Sequence, residues 1–235
     1  MQEFLYGTGA VLIYIIPVAA IMLSARKLIK IPDELFRKIL HFVLLGAYIP
    51  FVFAFETWWI SAALAGLLIV IIYPILALAG RIPAFSSFVN ERKKGEFKSS
   101  MALAFGVMAL SICVCWGFFG DRYLVLACVY AWGVGDAFAA LIGKKFGRHK
   151  IRLPFADKKK SVEGTLAMFV TSAVAVTVVL LWRGGMSLWE CMVTAVAGAA
   201  AAACAELCTK DGFDTFSCPA AAMAVILPLI HLLGD

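Results

Sequence analysis

Long apolar runs separated by shorter polar connections extend along the whole chain. A helix that crosses a membrane needs about 20 predominantly apolar residues, because each residue advances an α-helix by about 1.5 Å. By this criterion the sequence predicts eight membrane-spanning helices, at Phe4–Ser24, Leu35–Phe55, Thr57–Ala79, Met101–Phe119, Tyr123–Gly143, Gly164–Trp182, Leu188–Glu206 and Pro219–Leu233. The expected fold is therefore all-α and polytopic, with residues 1–235 forming a single membrane-embedded domain.

The composition supports this interpretation and excludes a nucleic-acid-binding protein. Hydrophobic residues make up 63% of the chain and charged residues only 15%, and the mean hydropathy is +0.94. Such values are far from those of a water-soluble domain. The net charge of +6 would suit nucleic acid only if the basic residues were gathered on a soluble surface, and the pattern predicts no soluble domain.

The basic residues instead follow the predicted topology. Of the 21 Lys and Arg residues, all but Arg122 and Arg183 lie in, or at the edges of, the connections after spans one, three, five and seven. Loops rich in Lys and Arg remain in the cytoplasm. The sequence therefore predicts a membrane protein of a prokaryotic cell membrane, with these four connections in the cytoplasm and both termini outside.

One carboxylate falls inside an apolar run. Asp136 lies about seven residues before the cytoplasmic end of span five, which is about 10 Å of depth along a helix. An ionised Asp at the centre of a span costs about 2.5–3.5 kcal/mol. Asp136 must therefore have a partner, a metal ion or a water-filled cavity, and the alternative to a catalytic role is a bundle residue satisfied by neighbouring hydroxyls.

Glycines surround this carboxylate at Gly133, Gly135, Gly143 and Gly147. Glycines at these positions would allow either a second helix or a phosphate group to approach the backbone closely. No strand is predicted before them, which argues against a dinucleotide-binding fold. The sequence leaves both alternatives open.

The connection between spans five and six, here called the basic loop (residues 146–160), combines one His with many cations that could neutralise phosphate charge. Its end, Ser161-Val-Glu-Gly164, is typical of a helix start, where free backbone N–H groups favour an anion. Glu163 is a candidate ligand for Mg²⁺, which prefers carboxylates together with phosphate oxygens. The candidate binding residues in and beside the loop are Lys144, Gly147, Arg148, His149, Lys150, Lys158, Lys159, Lys160, Ser161 and Gly164.

Two further groups are predicted on the same side. Arg37 and His41 are four residues apart at the start of span two, so they share one helix face that could clamp a phosphate or position a hydroxyl. Lys38 adds a charge beside them. Acidic residues that could join the site are Glu96, Glu206 and Asp214.

Three motifs, Gly135-Asp136 with Gly143, Phe146-Gly-Arg-His-Lys150 and Lys160-Ser-Val-Glu-Gly164, resemble those of the CTP-using lipid enzymes. This superfamily contains phosphatidate cytidylyltransferases and the dolichol, phytol and yeast-type diacylglycerol kinases. The Arg37-Lys38 and His41 pattern is similar to the kinase branch, as is Glu206 followed by Asp214 and Pro219. The His-Gly-Gly and Asp-Arg ending of the cytidylyltransferases is absent from the sequence.

The resemblance implies a lipid-alcohol kinase that uses CTP and Mg²⁺. The implied catalytic residues are Asp136, Glu163, His41 and Lys160, and the implied metal ligands are Asp136, Glu163 and Glu206. Asp136 could serve as metal ligand or as base. The implied partners are CTP and a membrane lipid, an isoprenoid alcohol or diacylglycerol, and a homodimer is left open. A cytidylyltransferase is the main alternative and a transporter the next, because an intramembrane Asp also marks ion pathways.

Overall fold

The computed structural model describes residues 1–29, 31–81, 95–151, 160–209 and 212–233. Within these ranges the backbone is almost entirely helical, in the following order: α1 (Gln2–Leu28), α2 (Asp33–Phe53), α3 (Trp58–Ala79), α4 (Glu96–Ser111) with a π-helix (Ile112–Phe118), α5 (Arg122–Phe146), α6 (Val162–Arg183), α7 (Leu188–Cys208) and α8 (Asp214–Leu233). In the described part of the chain, eight helices are long and apolar enough to cross a membrane. The predicted fold class is confirmed.

The helix ends differ from the predicted span ends by a few residues, because polar residues extend several helices beyond their apolar runs. The last helix begins at Asp214 rather than at Pro219. Prolines inside membrane helices are tolerated where neighbouring groups satisfy the freed backbone carbonyl. The first turn of α8 therefore carries a carboxylate that hydropathy alone assigns to a loop.

The chain divides into two compact units, Met1–Cys113 and Val114–Asp235. In the first, α1 packs on α2 and α3 packs on α4. The Glu3 carboxylate accepts hydrogen bonds from the backbone N–H groups of Glu56 (3.0 Å) and Thr57 (2.8 Å) and from the Thr57 hydroxyl (3.0 Å). This acidic side chain thereby joins the start of α1 to the start of α3.

In the second unit α5 is the central helix. Residues 124–129 of this helix are all at most 2% exposed, and α5 packs on α6, α7 and α8. By contrast, α6 exposes an apolar side chain every four residues, at Val162, Leu166, Val170, Val174 and Val178. This exposed stripe on a helix of the second unit suits contact with lipid.

Polar side chains link the start of α5 to the end of α6. Asp121 accepts a hydrogen bond from the backbone N–H of Tyr123 (2.8 Å) at the start of α5 and pairs with Arg183 at the end of α6. Arg122 lies over the ring of Trp116, 4.6 Å from its centroid. The two basic residues predicted to lie outside therefore share one end of the second unit, opposite to the end that holds the basic loop.

Candidate active site

The glycines of α5 are used for helix packing. A Cβ atom at Gly135 would lie 2.2 Å from the Ser172 hydroxyl oxygen and 2.7 Å from Met168 Cγ. A Cβ atom at Gly164 would lie 3.0 Å from the Ala139 carbonyl oxygen. Such distances leave no room for a side chain. Of the two alternatives left by the sequence, the structure shows the close approach of a helix, α6, at these positions.

The same close approach extends to the end of α5. The Gly143 Cβ position would be 3.3 Å from the Ser161 hydroxyl oxygen, and that of Gly147 only 2.6 Å from it. Ser161 is buried and caps α6 by accepting a hydrogen bond from the Gly164 N–H (3.2 Å). The helix start predicted at Ser161 is confirmed. The Ser161 hydroxyl accepts a hydrogen bond from the Gly164 N–H, which is one of the free N–H groups that could have bound an anion.

Three carboxylates from three different helices of the second unit are within range of charge–charge interaction. Asp136 on α5 and Asp214 at the start of α8 are near enough to Glu206, at the end of α7, for their charges to act on its carboxylate. We call Asp136, Glu206 and Asp214 the acidic cluster. The structure thus joins three of the acidic residues that the sequence singled out.

Lys160 is bound to this cluster. Its Nζ atom lies 3.1 Å from Glu206 Oε1, and it donates to the backbone carbonyls of Thr209 (2.9 Å) and Glu206. The side chains of Lys160 and Glu206 are only 15% and 14% exposed. An ion pair with so little solvent contact needs such additional hydrogen bonds to offset the loss of hydration.

Glu163 contacts the beginning of the basic loop. Its Oε1 atom accepts hydrogen bonds from the backbone N–H groups of Arg148 (3.2 Å) and His149 (3.1 Å) and lies 2.7 Å from His149 Nδ1. The two ends of the loop are also paired, because the Ile151 N–H donates to the Lys160 carbonyl (3.1 Å). Glu163 therefore organises the loop at the start of α6.

Basic residues in the last turn of α5 and in the loop that follows it are exposed. Lys144, Arg148, His149 and Lys150 all present side chains to solvent, at the same end of the second unit as the acidic cluster. We call these four residues the basic rim. The predicted contributions of Lys158 and Lys159 lie outside the described residues.

The remaining predicted site residues belong to the first unit. The Arg37 guanidinium lies 3.7 Å from the Glu34 carboxylate, and His41 meets the ring of Phe42 edge-on. Lys38 is on the same turn of α2. Glu96 begins α4, and its side chain lies outside the described part of the structure. The functional association of these residues with Asp136 stays a prediction.

The acidic cluster also bears on the predicted metal ion. Among the described residues, no three His, Cys, Asp or Glu side chains are arranged to hold one ion. Mg²⁺, however, commonly uses one or two carboxylates and completes its coordination with water and substrate phosphates. The carboxylates of Asp136, Glu206 and Asp214 fit that requirement in charge and donor type. Of the predicted ligands, Glu163 instead binds the loop backbone and His149.

Sequence reasoning missed two hydroxyl residues beside the cluster. The Thr209 hydroxyl donates to the Ala205 carbonyl (2.6 Å) and lies 2.7 Å from the Ser217 hydroxyl oxygen. This contact ties the end of α7 to the first turns of α8. The only signal in the sequence is that Thr209 lies three residues after the predicted end of span seven, which is a weak signal.

Comparison with known proteins gives one informative match. Over 214 residues the chain is 31% identical to the phytol kinase of the cyanobacterium Synechocystis sp., and the alignment covers 85% of this chain and 82% of that protein. No family model matches the chain. No solved structure matches it either.

Proposed function

The chain belongs to the lipid kinase family that includes phytol kinase, and we propose that it transfers the γ-phosphoryl group of CTP to the hydroxyl of a membrane lipid. The preferred acceptor is an isoprenoid alcohol of the phytol or polyprenol type, and diacylglycerol is the second acceptor. The lipid oxygen bonds to the γ-phosphorus and the bond to the β-phosphate oxygen breaks. The products are a lipid monophosphate, CDP and the proton of the hydroxyl.

The observation that carries this proposal is the meeting of the acidic cluster and the basic rim at one end of a helical membrane unit. The cluster comes from the middle of α5, the end of α7 and the start of α8, and the basic rim comes from the last turn of α5 and the residues that follow it. Phosphoryl transfer needs little covalent chemistry from the protein and depends on positioning and on charge neutralisation. Carboxylates and cations at one membrane surface supply both.

Each group has a role in the proposed reaction. Lys144, Arg148 and Lys150 are exposed cations that bind the nucleotide phosphates, and Glu163 fixes the backbone that carries two of them. Asp136 either accepts the proton of the lipid hydroxyl or serves as a metal ligand. Mg²⁺, held by carboxylates of the acidic cluster, would neutralise charge on the phosphates. We place this site on the cytoplasmic face, where the positive-inside rule puts the basic loop.

Two isotopic labels test the proposal in one experiment. Purified protein in nanodiscs is given phytol, a short polyprenol or dioleoylglycerol with Mg²⁺ and either γ-³²P-labelled or α-³²P-labelled CTP. A kinase moves only the γ label into the lipid fraction. A parallel reaction supplies phosphatidate in place of the alcohols, and movement of the α label into lipid there, with release of pyrophosphate from CTP, would establish a cytidylyltransferase instead.

Competition with other nucleotides defines the donor. Unlabelled ATP, GTP and UTP in tenfold excess should reduce transfer from labelled CTP less than unlabelled CTP does. If neither the γ label nor the α label enters the lipid fraction with any of the three acceptors, the proposed activity is contradicted and the transport alternative is favoured.

A further inference from the structure

The hydrogen bonds of Lys160 account for its whole ammonium group. An ammonium has three N–H donors and no acceptor. In the structure the three are matched by three acceptors, namely the Glu206 carboxylate and the backbone carbonyls of Glu206 and Thr209. Only 15% of its side chain is exposed, so Lys160 presents little surface to a ligand beyond these protein contacts. This distinguishes it from the exposed basic rim.

The acceptors of Lys160 all belong to the end of one helix. Thr209 is the capping residue that follows α7, and Glu206 is in its last turn. The last carbonyls of a helix lack intrahelical donors and carry the negative end of the helix dipole. Lys160, which directly precedes the cap of α6, therefore attaches the start of α6 to the end of α7.

The helix end that Lys160 contacts is also connected to the helix that carries Asp214. Thr209 is hydrogen-bonded to Ser217 on α8, one turn after Asp214. Glu206, held by Lys160, lies within the electrostatic reach of both Asp136 and Asp214. Lys160 thus holds the end of α7, which carries Glu206 and is joined through Thr209 to the start of α8, the helix that carries Asp214.

We propose that Lys160 is a positioning residue that sets the spacing of the acidic cluster and does not bind the transferred phosphate. The inference rests on the proposed function for its kinetic part only. The ammonium also lies 3.1 Å from the Glu206 carboxylate and offsets its charge. Loss of Lys160 should misplace Glu206 and leave it without its counter-ion.

Steady-state kinetics separate positioning from phosphate binding. Lys160→Met should lower kcat by about 10²-fold, the effect of a misplacement of about 1 Å, and change the KM for CTP less than about threefold. Lys160→Arg should also lower kcat, because the longer guanidinium alters the spacing. A phosphate ligand would behave differently, since Arg binds phosphate well. Retained activity in Lys160→Arg with a raised KM in Lys160→Met would overturn the inference.

A cycle of unfolding measurements tests the same inference without turnover. The apparent Tm of the wild type, Lys160→Met, Glu206→Gln and the double variant is measured without nucleotide or metal. Lys160→Met should lower Tm, and adding Glu206→Gln should recover much of the loss because it removes the unpaired charge. Additive effects of the two substitutions would overturn the pairing, and a stability loss with unchanged kcat would reduce Lys160 to a purely structural residue.

The two proposals fail separately. If the wild type transfers no phosphoryl group, the proposed function is lost, while the unfolding cycle still decides whether Lys160 neutralises Glu206. Lys160→Arg retains the charge and should fold, so the kinetic test stands even if Lys160→Met cannot be purified. Titration of Mg²⁺ against Tm gives a further readout, because a misplaced cluster should need more Mg²⁺ for the same stabilisation.

Discussion

Glu163 Oε1 lies 2.7 Å from Nδ1 of His149 and accepts the backbone N–H of the same residue at 3.1 Å. The contact thereby joins the first residues of the basic loop to the first turn of α6, fourteen positions later. The carboxylate fixes the backbone that carries Arg148, His149 and Lys150. In the proposed reaction, Glu163 acts on the nucleotide through this loop.

The first prediction follows from this contact. Glu163→Gln removes the charge that binds two backbone N–H groups, so the loop should loosen and the KM for CTP should rise on the order of tenfold. The matched control is Glu190→Gln, because Glu190 also stands in the first turn of a helix, where it accepts the Ser187 N–H (2.7 Å) at the opposite end of the unit. The control should keep the wild-type KM. An unchanged KM with an altered Mg²⁺ requirement in Glu163→Gln would restore Glu163 as a metal ligand.

Asp136 should be the most sensitive carboxylate. Asp136→Asn keeps the size of the side chain and removes its charge, and transfer should fall on the order of 10²- to 10⁴-fold, the range for a positioned proton-transfer group. The protein should still fold, since the change removes a charge from an apolar helix. Asp121→Asn, before the other end of α5, is the control: it breaks the pair with Arg183 and should lower Tm without lowering kcat. Near-wild-type transfer by Asp136→Asn would exclude this role.

The packed seam between α5 and α6 should not accept a methyl group. Gly135→Ala places a Cβ atom against Ser172, whose hydroxyl is held by the Ala131 carbonyl, and should destabilise the protein by about 1–3 kcal/mol. Gly66→Ala is the control, because a Cβ atom there meets nothing within 4 Å. It should be neutral or stabilising by up to ~1 kcal/mol through helix propensity. Thermal unfolding of both variants in one detergent gives the comparison, and equal Tm values would contradict the close packing.

Topology can be tested by labelling cysteines at the two ends of α5. In a cysteine-free background, Lys145→Cys should react only with reagent supplied from the cytoplasm, and Phe119→Cys only with reagent supplied from outside. Both positions are exposed in the structure, so access within the protein is comparable. The reverse pattern would place the proposed site on the outer face.

Hydropathy predicts the spans well because membrane thickness sets their length, whereas it does not locate helix ends that carry charge. Asp214 was assigned to a connection, and yet it begins α8. The buried depth of Asp136 was enough to single it out. The depth criterion could not reveal that Glu206 and Asp214 would join it, because the three residues come from three helices.

The positive charge of the lysines in the basic loop does not show which of them contacts another helix. Lys158, Lys159 and Lys160 form one run in the sequence, and the structure shows that Lys160 is bound to a helix end 46 residues away. Likewise, the glycine pattern was compatible with close approach of a helix or of a phosphate. The short distances from the Gly135 Cβ position to Ser172 and from the Gly164 Cβ position to Ala139 show that a helix approaches. Both answers depend on tertiary contacts that no local pattern encodes.

The contacts of Lys160 also order the events of biosynthesis. Chains fold from the N-terminus as they leave the ribosome, so α5 and α6 leave the ribosome before Glu206, Thr209 and Ser217 do. Until α7 and α8 follow, Asp136 has neither of its acidic neighbours and Lys160 has none of its three acceptors. A nascent chain arrested before α8 would therefore hold an incomplete centre, and catalytic competence would come only with the last helix.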